Sequence, residues 1–453
     1  SLYQLPLNLV IERRLCLEYY LHHDPSQIGP DGAVDEVLCK IDIVQQGLGW
    51  LQGTMDTIWV VGDLLMTVPL GFVAERYGRR VVLWLNLVPR LFMLSWAVLV
   101  GFFDRAIPTK AIVIGPMLSF LGGDCVFNSI TYSLTAGMTD DYVLRASYFG
   151  YMSSISYVVN LLGPALASFS MTILLWLPFW IGIALLLAAA LVIRMVPDFT
   201  SSARYPDEQE QPLLSSPLLK AQHAGPSFVQ LVVERFRTLK TVLRSHSRNF
   251  GLMLLCFLLA SLASSDTKLL VQYISKRYHW TFASAGYLIS GKAVVNFTLL
   301  TFIVPRALRS VADSSAGQGS PDASDRINIR FANACFGVSI IGALAIALAA
   351  TIWLLIPAMF IYALGSALPI FTLSLLKSPS VISSSEGSSS SEDDDGLHAG
   401  EADTHIFSIV MLVKTLGSLI GAPLMAVLWV KGIGLGGGAL GMPYFVSSAC
   451  YGV

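Results

Sequence analysis

Apolar runs of membrane length, one after another along the chain, constrain this sequence more than any other feature. A helix that crosses the hydrocarbon core of a bilayer needs about 20 mostly apolar residues. Runs that meet this need, or begin to, occupy residues 1–15, 48–74, 81–103, 111–137, 146–169, 171–196, 250–273, 282–305, 331–350, 354–376, 406–430 and 443 onward. Inside lipid each backbone N–H and C=O must find a partner within the chain, so spanning structures are helices or closed barrels. These runs lack the period-two alternation of barrel strands, which leaves helices. The charged fraction is only 13%, against 54% hydrophobic residues; a soluble domain carries about 25% charged residues. A water-soluble enzyme and a nucleic-acid-binding protein are both excluded on these grounds, and six cysteines in 453 residues make no disulfide framework.

The runs fall into two groups of six around a polar stretch. Residues 1–198 form the expected first six-helix half, 199–249 a cytoplasmic linker and 250–453 the second half. Within the linker, residues 231–243 fit an amphipathic helix lying on the inner membrane surface. The first and last segments begin and end inside apolar runs, so both helices are expected to be partial. A Ser-rich acidic stretch with Glu386, Asp393, Asp394, Asp395 and Glu401 is expected to be solvated and unpacked. Lys and Arg concentrate in the loops that share a side with the turn after the second run, which places that side in the cytoplasm.

That turn reads Gly71-Phe72-Val73-Ala74-Glu75-Arg76-Tyr77-Gly78-Arg79-Arg80. Gly71 permits close approach of a neighbouring helix, Gly78 a tight turn, and the three arginines hold the loop on the cytoplasmic side. The pattern Gly-x-x-x-(Asp/Glu)-Arg-x-Gly-Arg-Arg resembles the signature between helices 2 and 3 of the major facilitator superfamily of secondary transporters. Glu75 stands where that family more often has Asp. The resemblance implies an all-α membrane fold of twelve transmembrane helices in two six-helix halves that act by alternating access. It further implies a small-molecule substrate, no cofactor, no metal, and a monomer in the plasma or vacuolar membrane.

Further stretches narrow the resemblance. Leu2-Tyr3-Gln4-Leu5-Pro6-Leu7, Ile11-Glu12-Arg13-Arg14-Leu15-Cys16, Cys39-Lys40-Ile41-Asp42, Ala285-Gly286-Tyr287-Leu288-Ile289-Ser290 and Gly441-Met442-Pro443-Tyr444-Phe445 are similar to fungal members near the proton-coupled folate transporter group. Such transporters are proton-coupled, and many fungal relatives export metabolites or drugs. Two departures stand out. Segment five has Gly163-Pro164 but Val159, Ala167 and Ser168 where drug antiporters carry further glycines, and segment four has Asp124 where many members have Arg.

Ionisable groups at membrane depth are expensive, at about 2.5–3.5 kcal/mol on insertion scales, and so are candidates for chemistry. Asp56 and Asp63 lie seven apart and share a helix face. Asp63 and Arg90 lie at about equal distance from the turn, so an Asp63–Arg90 pair is expected, either functional or a fixed anchor. Asp124 and Lys292 sit near the middle of segments four and eight and Lys414 about two turns into segment eleven, each a proton or substrate candidate, a structural group or a snorkelling one. Asp266 and Lys268 are expected near the surface. Glu12, Arg13 and Arg14 either gate the cavity or mark the interface. Trp59, Trp96, Tyr132, Tyr157, Trp176, Trp180 and Tyr362 either contact a planar substrate or pack. Cys16 and Cys39 face the oxidising side and either pair or stay free thiols.

The expected activity is proton-coupled movement of a small organic molecule, with export favoured; the alternatives are uptake of an organic anion or vitamin-like solute, and a solute sensor that moves nothing. With Asp63 held by Arg90, Asp124 is the expected proton carrier, since no cation lies within two turns of it on its own helix. The turn carries a direct expectation. Arg76→Ala or Gly71→Leu should lower transport more than it lowers expression, and a well-expressed variant with near-wild-type transport would refute it.

Overall fold

The computed structural model describes residues 2–30, 32–104, 106–136, 142–195, 248–303, 306, 321–368, 372 and 395–453. Among these residues there is no strand, and each of the twelve apolar runs is represented by helix. The helices are α1 Gln4–His23, α2 Asp42–Tyr77, α3 Arg79–Phe102, α4 Asp124–Ala136, α5 Tyr142–Ile173, α6 Leu177–Met195, α7 Arg248–Ser264, α8 Leu270–Tyr278, α9 Phe282–Thr298, α10 Pro321–Leu348, α11 Ile352–Leu364, α12 Asp395–Leu435 and α13 Met442–Gly452. Seven of the described spans are long and apolar enough to cross a bilayer. The amphipathic stretch expected at 231–243 lies outside the described residues.

Four boundaries differ from the sequence expectation, each for a physical reason. Helix α1 continues past residue 15 to His23, because the polar residues of that stretch stand on a helix tied to the following loop. Lys276, Arg277 and Tyr278 form the last turn of α8 rather than a loop, a site where cations suit the helix dipole. The acidic stretch is helical from Asp395 onward, as the N-terminal extension of α12; acids suit a helix start.

The fourth difference matters most. Segments four and seven, expected as continuous helices, are both broken. Segment four runs as a 3-10 helix over Thr109–Leu121, opens at Gly122 and Gly123, and resumes as α4. Segment seven passes from α7 through a 3-10 turn, Ser265–Lys268, into α8.

Helices α2 and α3 are joined by Gly78 alone, at φ 94° and ψ 148°. A residue with Cβ rarely occupies that region, so the second glycine of the turn motif is a conformational requirement. Arg80 donates to the Arg194 carbonyl at the end of α6, 2.6 Å away. The side chains of Glu75 and Arg76 lie outside the described residues.

At the opposite end, a disulfide joins Cys16 of α1 to Cys39 in the loop after it. Arg14 donates to the carbonyls of Val100, Asp104 and Ile107, which ties α1 to the end of α3. Glu12 and Lys40 are fully buried and paired at 2.8 Å, and Gln45 also donates to Glu12. Glu36 bonds Lys40 at 3.2 Å and accepts the Phe282 N–H at 2.8 Å, so it caps α9 from across the molecule. Lys276 of α8 pairs with Asp42 at 2.6 Å. Trp429 and Ala426 of α12 pack where Gly49 and Gly53 of α2 leave no Cβ in the way. The first six segments and the last six therefore meet tightly at this disulfide end.

The disulfide closes a 23-residue separation, for which chain entropy assigns about 3 kcal/mol. Cys39→Ser should therefore lower the thermal stability of the purified protein markedly in non-reducing detergent solution. Equal midpoints for variant and parent would refute this.

Candidate functional site

The break in segment four sets the geometry of the interior. An interrupted helix leaves backbone donors and acceptors that lipid cannot satisfy. Two side chains take them up, and a third holds one of these two in place. The buried Asp63 carboxylate accepts the Cys125 N–H at 2.9 and 3.2 Å, at the first turn of α4. Asn86 of α3 donates to the Gly123 carbonyl at 2.7 Å. Arg90, one turn further along α3, donates to Asn86 at 3.1 Å and to Asp124 at 2.6 Å. A Cβ at Gly123 would overlap the Asp63 carboxyl, and one at Gly122 would overlap Asn86, which explains the glycine pair.

Arg90 thus pairs with Asp124 and not with Asp63, which corrects the sequence expectation. Equal depth placed Asp63 and Arg90 on the same level, and that arithmetic ignored α4, whose N-terminus supplies Asp63 with donors and Arg90 with a nearer carboxylate. Among the described residues Asp63 has no cation within 4 Å, whereas Asp124 has one. The premise that Arg90 holds Asp63 is thus reversed, and Asp124 takes its cation from α3 although none stands on its own helix.

A second pair bridges the two groups of segments. Asp56 of α2 lies 3.7 Å from Lys268, in the 3-10 turn of segment seven. Its partners are partly open, with Lys268 40% and Asp56 18% exposed, as are Arg90 at 31% and Asp124 at 63%. Tyr3, the residue before α1, is within electrostatic range of Asp124, Asp56 and Arg90. These five side chains link the two helix breaks across the interior. Half-open charges of both signs inside a helical bundle face water or a partner and not lipid. Lys268, expected near the surface, is exposed and has Asp56 as its partner.

Asp266, in the same turn, was also expected at the surface and is completely buried. The Tyr362 hydroxyl donates to both its oxygens, at 3.0 and 3.1 Å. Lys292 of α9 lies 5.1 Å over the Tyr362 ring and within electrostatic range of Asp266. Lys414 of α12 is half-buried, and among the described residues no carboxylate pairs with it. Of the aromatic candidates, Trp96 donates to the Ala111 carbonyl at 2.8 Å and Trp176 stacks on Phe102, so both hold segments together. Trp180 and its neighbours Leu185, Leu187 and Leu191 are bare on α6, a face suited to lipid.

Sequence reasoning missed the breaks, Asn86, and the partners that the breaks give to Lys268, Asp266 and Tyr362. A signal was present. Gly122-Gly123-Asp124 and Ser264-Ser265-Asp266 are both two small residues followed by an acid inside an apolar run. Small residues weaken the helix there, and the acid holds a charge at the gap.

The chain belongs to the Major Facilitator Superfamily, whose family description matches residues 41–388. It is a membrane transporter and not an enzyme. It is 25% identical over 98% of its length to a fungal relative named MFS efflux pump atnC from Emericella nidulans, spanning 81% of that protein. It is 24% identical over 95% of its length to the efflux pump ustT of Aspergillus flavus, spanning 79% of it. Among solved structures, a D-xylose-proton symporter has the same fold at TM-score 0.55 and 13% identity, covering 99% of this chain and 93% of that one. The nucleoside transporter NupG follows at TM-score 0.53 and 14% identity, covering 99% and 95%.

Burial ranks the ion pairs. In Glu12–Lys40 both partners are out of water, so removing one strands the other, at about 3–5 kcal/mol. Arg90–Asp124 is half open and worth about 1 kcal/mol or less. Lys40→Met should therefore destabilise the folded protein far more than Arg90→Leu in parallel thermal melts, and the reverse order would refute the ranking.

Proposed function

We propose that this protein exports a small organic molecule by alternating access, driven by exchange with protons. The observation that carries the reading is the interior cluster of Tyr3, Asp56, Arg90, Asp124 and Lys268, lined up between two broken helices. In secondary transporters, interrupted helices place backbone groups and charges at mid-membrane, where substrate and coupling ion bind. Residues 1–198 and 250–453 are the two moving bodies, joined by 199–249. The Asp56–Lys268 pair spans them and opens when they part. One chain supplies the whole path, so a monomer suffices, in the plasma or vacuolar membrane. Export is supported by the relatives named efflux pumps.

A second reading, proton-coupled uptake of an organic anion or vitamin-like solute, is favoured by one observation. Lys414 is a half-buried cation without a carboxylate partner among the described residues, which suits an anionic ligand. Lys292 and Arg90 would add to the field.

The test uses the purified chain in lipid vesicles and a panel of radiolabelled metabolites, neutral and anionic, with and without a pH gradient. At least one compound should move faster with the gradient than without it. Lys268→Gln should slow that movement about tenfold, the effect of about 1.4 kcal/mol on a barrier. Movement of no compound would overturn the transport reading, and preference for anions entering with protons would select uptake.

A further inference from the structure

The connection between the first two segments does more than join them. Residues 36–42 follow a polar loop and include the 3-10 turn Leu38–Lys40. On its own side this stretch is firmly fastened. The Cys16–Cys39 disulfide ties it to α1, and buried Lys40 pairs with buried Glu12 at 2.8 Å. Gln45 donates to the Cys39 carbonyl at 3.2 Å, and Tyr20 to the Leu38 carbonyl at 3.3 Å. Across the seam the stretch meets the turn between α8 and α9 and holds it at both ends. Lys276, in the last turn of α8, donates to the Lys40 carbonyl and pairs with Asp42 at 2.6 Å. Phe282, the first residue of α9, donates its N–H to Glu36 at 2.8 Å, and its ring centre lies 4.4 Å from the Lys40 ammonium. The turn is itself tied into the other six segments. Ser275 donates to the Trp280 carbonyl at 2.8 Å, and Tyr278 to the Ala349 carbonyl at 2.9 Å.

We propose that residues 36–42 are a clasp that shuts the disulfide end of the molecule, with Glu36 and Lys276 as its positioning residues. The proposal rests on the alternating-access reading above. Two unlike fastenings distinguish a clasp from a general packing contact. The anchor is a covalent bond and an ion pair closed to water. The grip is one ion pair whose acid is 64% exposed, one backbone N–H and one carbonyl. These groups stand among loops at one end of the bundle, where water replaces a lost partner. Release therefore strands no buried charge, in contrast with the Glu12–Lys40 pair. Both positioning residues suit the helix ends they meet. The first N–H groups of a helix lack partners and favour a carboxylate. Thr281 caps the Ser284 N–H at 3.3 Å and leaves the Phe282 N–H to Glu36. Lys276 stands at a helix C-terminus, where a cation is favoured. The disulfide adjoins Lys40 in the chain and keeps Glu36 and the Lys40 carbonyl opposite their partners. Loss of the grip removes contacts from the closed state and none from the open one, so the population moves toward open.

The experiment reads the width of that end directly. Spin labels on ketone-bearing residues replace Leu21 of α1 and Trp353 of α11, both exposed and outside the clasp, and every cysteine stays in place. Distances between the labels are measured on the full chain in lipid vesicles. The parent should show mainly the shorter distance. Lys276→Glu should raise the longer-distance population about fivefold, the weight of one half-open ion pair, and adding Asp42→Lys should return it to the parent level. Glu36→Ala should raise it likewise. Glu36→Gln should stay near the parent, because its amide oxygen still accepts the Phe282 N–H. Cys16→Ser with Cys39→Ser should raise the longer distance too. Should Lys276→Glu fail to insert, Lys276→Met removes the same bonds without adding a charge and should shift the population in the same direction. A contact that only adds stability would lower the melting midpoints and leave the distances alone. A parent already at the longer distance, unchanged distances in Glu36→Ala and the Lys276 variant, or no return on adding Asp42→Lys would overturn the proposal. These readouts need no substrate. Vesicles that move no metabolite would refute transport alone, so the two failures are distinguishable.

Discussion

A helix that breaks inside a bilayer must replace what the break removes. Each interrupted turn exposes N–H and C=O groups, and lipid offers them nothing. The organisation of the interior follows from meeting this requirement twice. In segment four the gap at Gly122 and Gly123 is closed by Asp63 on one side and Asn86 on the other. Asn86 in turn holds Arg90, and Arg90 holds Asp124. The charges are where they are because the backbone needed partners there. In segment seven the 3-10 turn Ser265–Lys268 puts Asp266 under the Tyr362 hydroxyl and aims Lys268 at Asp56.

The pairs divide by strength according to burial. Glu12, Lys40 and Gln45 lie within the first six segments and are fully buried, so that set is rigid. The contacts that cross between the two sets are of another kind. Asp56–Lys268 is long and half-open, Asp42 is 64% exposed in its pair with Lys276, and Glu36 reaches over to one backbone N–H of α9. Exposed pairs are worth about 1 kcal/mol or less each. Apolar packing of Trp429 and Ala426 against Gly49 and Gly53 adds shape without directional bonds. The seam between the two sets is thus held by a shared apolar core and by half-open pairs, while the fully buried ion pair lies within the first set.

The architecture was legible in the sequence for a simple reason. Apolar length is a one-dimensional property, and the bilayer converts it into helices with few alternatives. Gly78 was legible on similar grounds, since a one-residue turn between two long helices demands a backbone that a side chain forbids. Partner choice was not legible. Arg90 could be placed in depth by counting, yet its partner depends on the angular position of α4, which counting does not supply. Asp266 was misread because a uniform rise per residue put it near the surface; a 3-10 turn in mid-segment changes the direction of every side chain after it. Cys16 and Cys39 could be placed on one side of the membrane, but only the continuation of α1 to His23 shows how they come together.

The two breaks carry the same local pattern, two small residues and an acid, yet their acids end in opposite environments. Asp266 is wholly buried beneath Tyr362, with Lys292 in range, and its surroundings change little unless the helices around it repack. Asp124 is 63% exposed and held by one guanidinium, open to whatever enters the cavity. The break in segment seven therefore acts as a fixed corner of the second set of helices. The break in segment four carries an open acid, Asp124, at its mouth and a buried one, Asp63, at its cap. A single set of backbone groups at Gly122–Cys125 stands between those two acids.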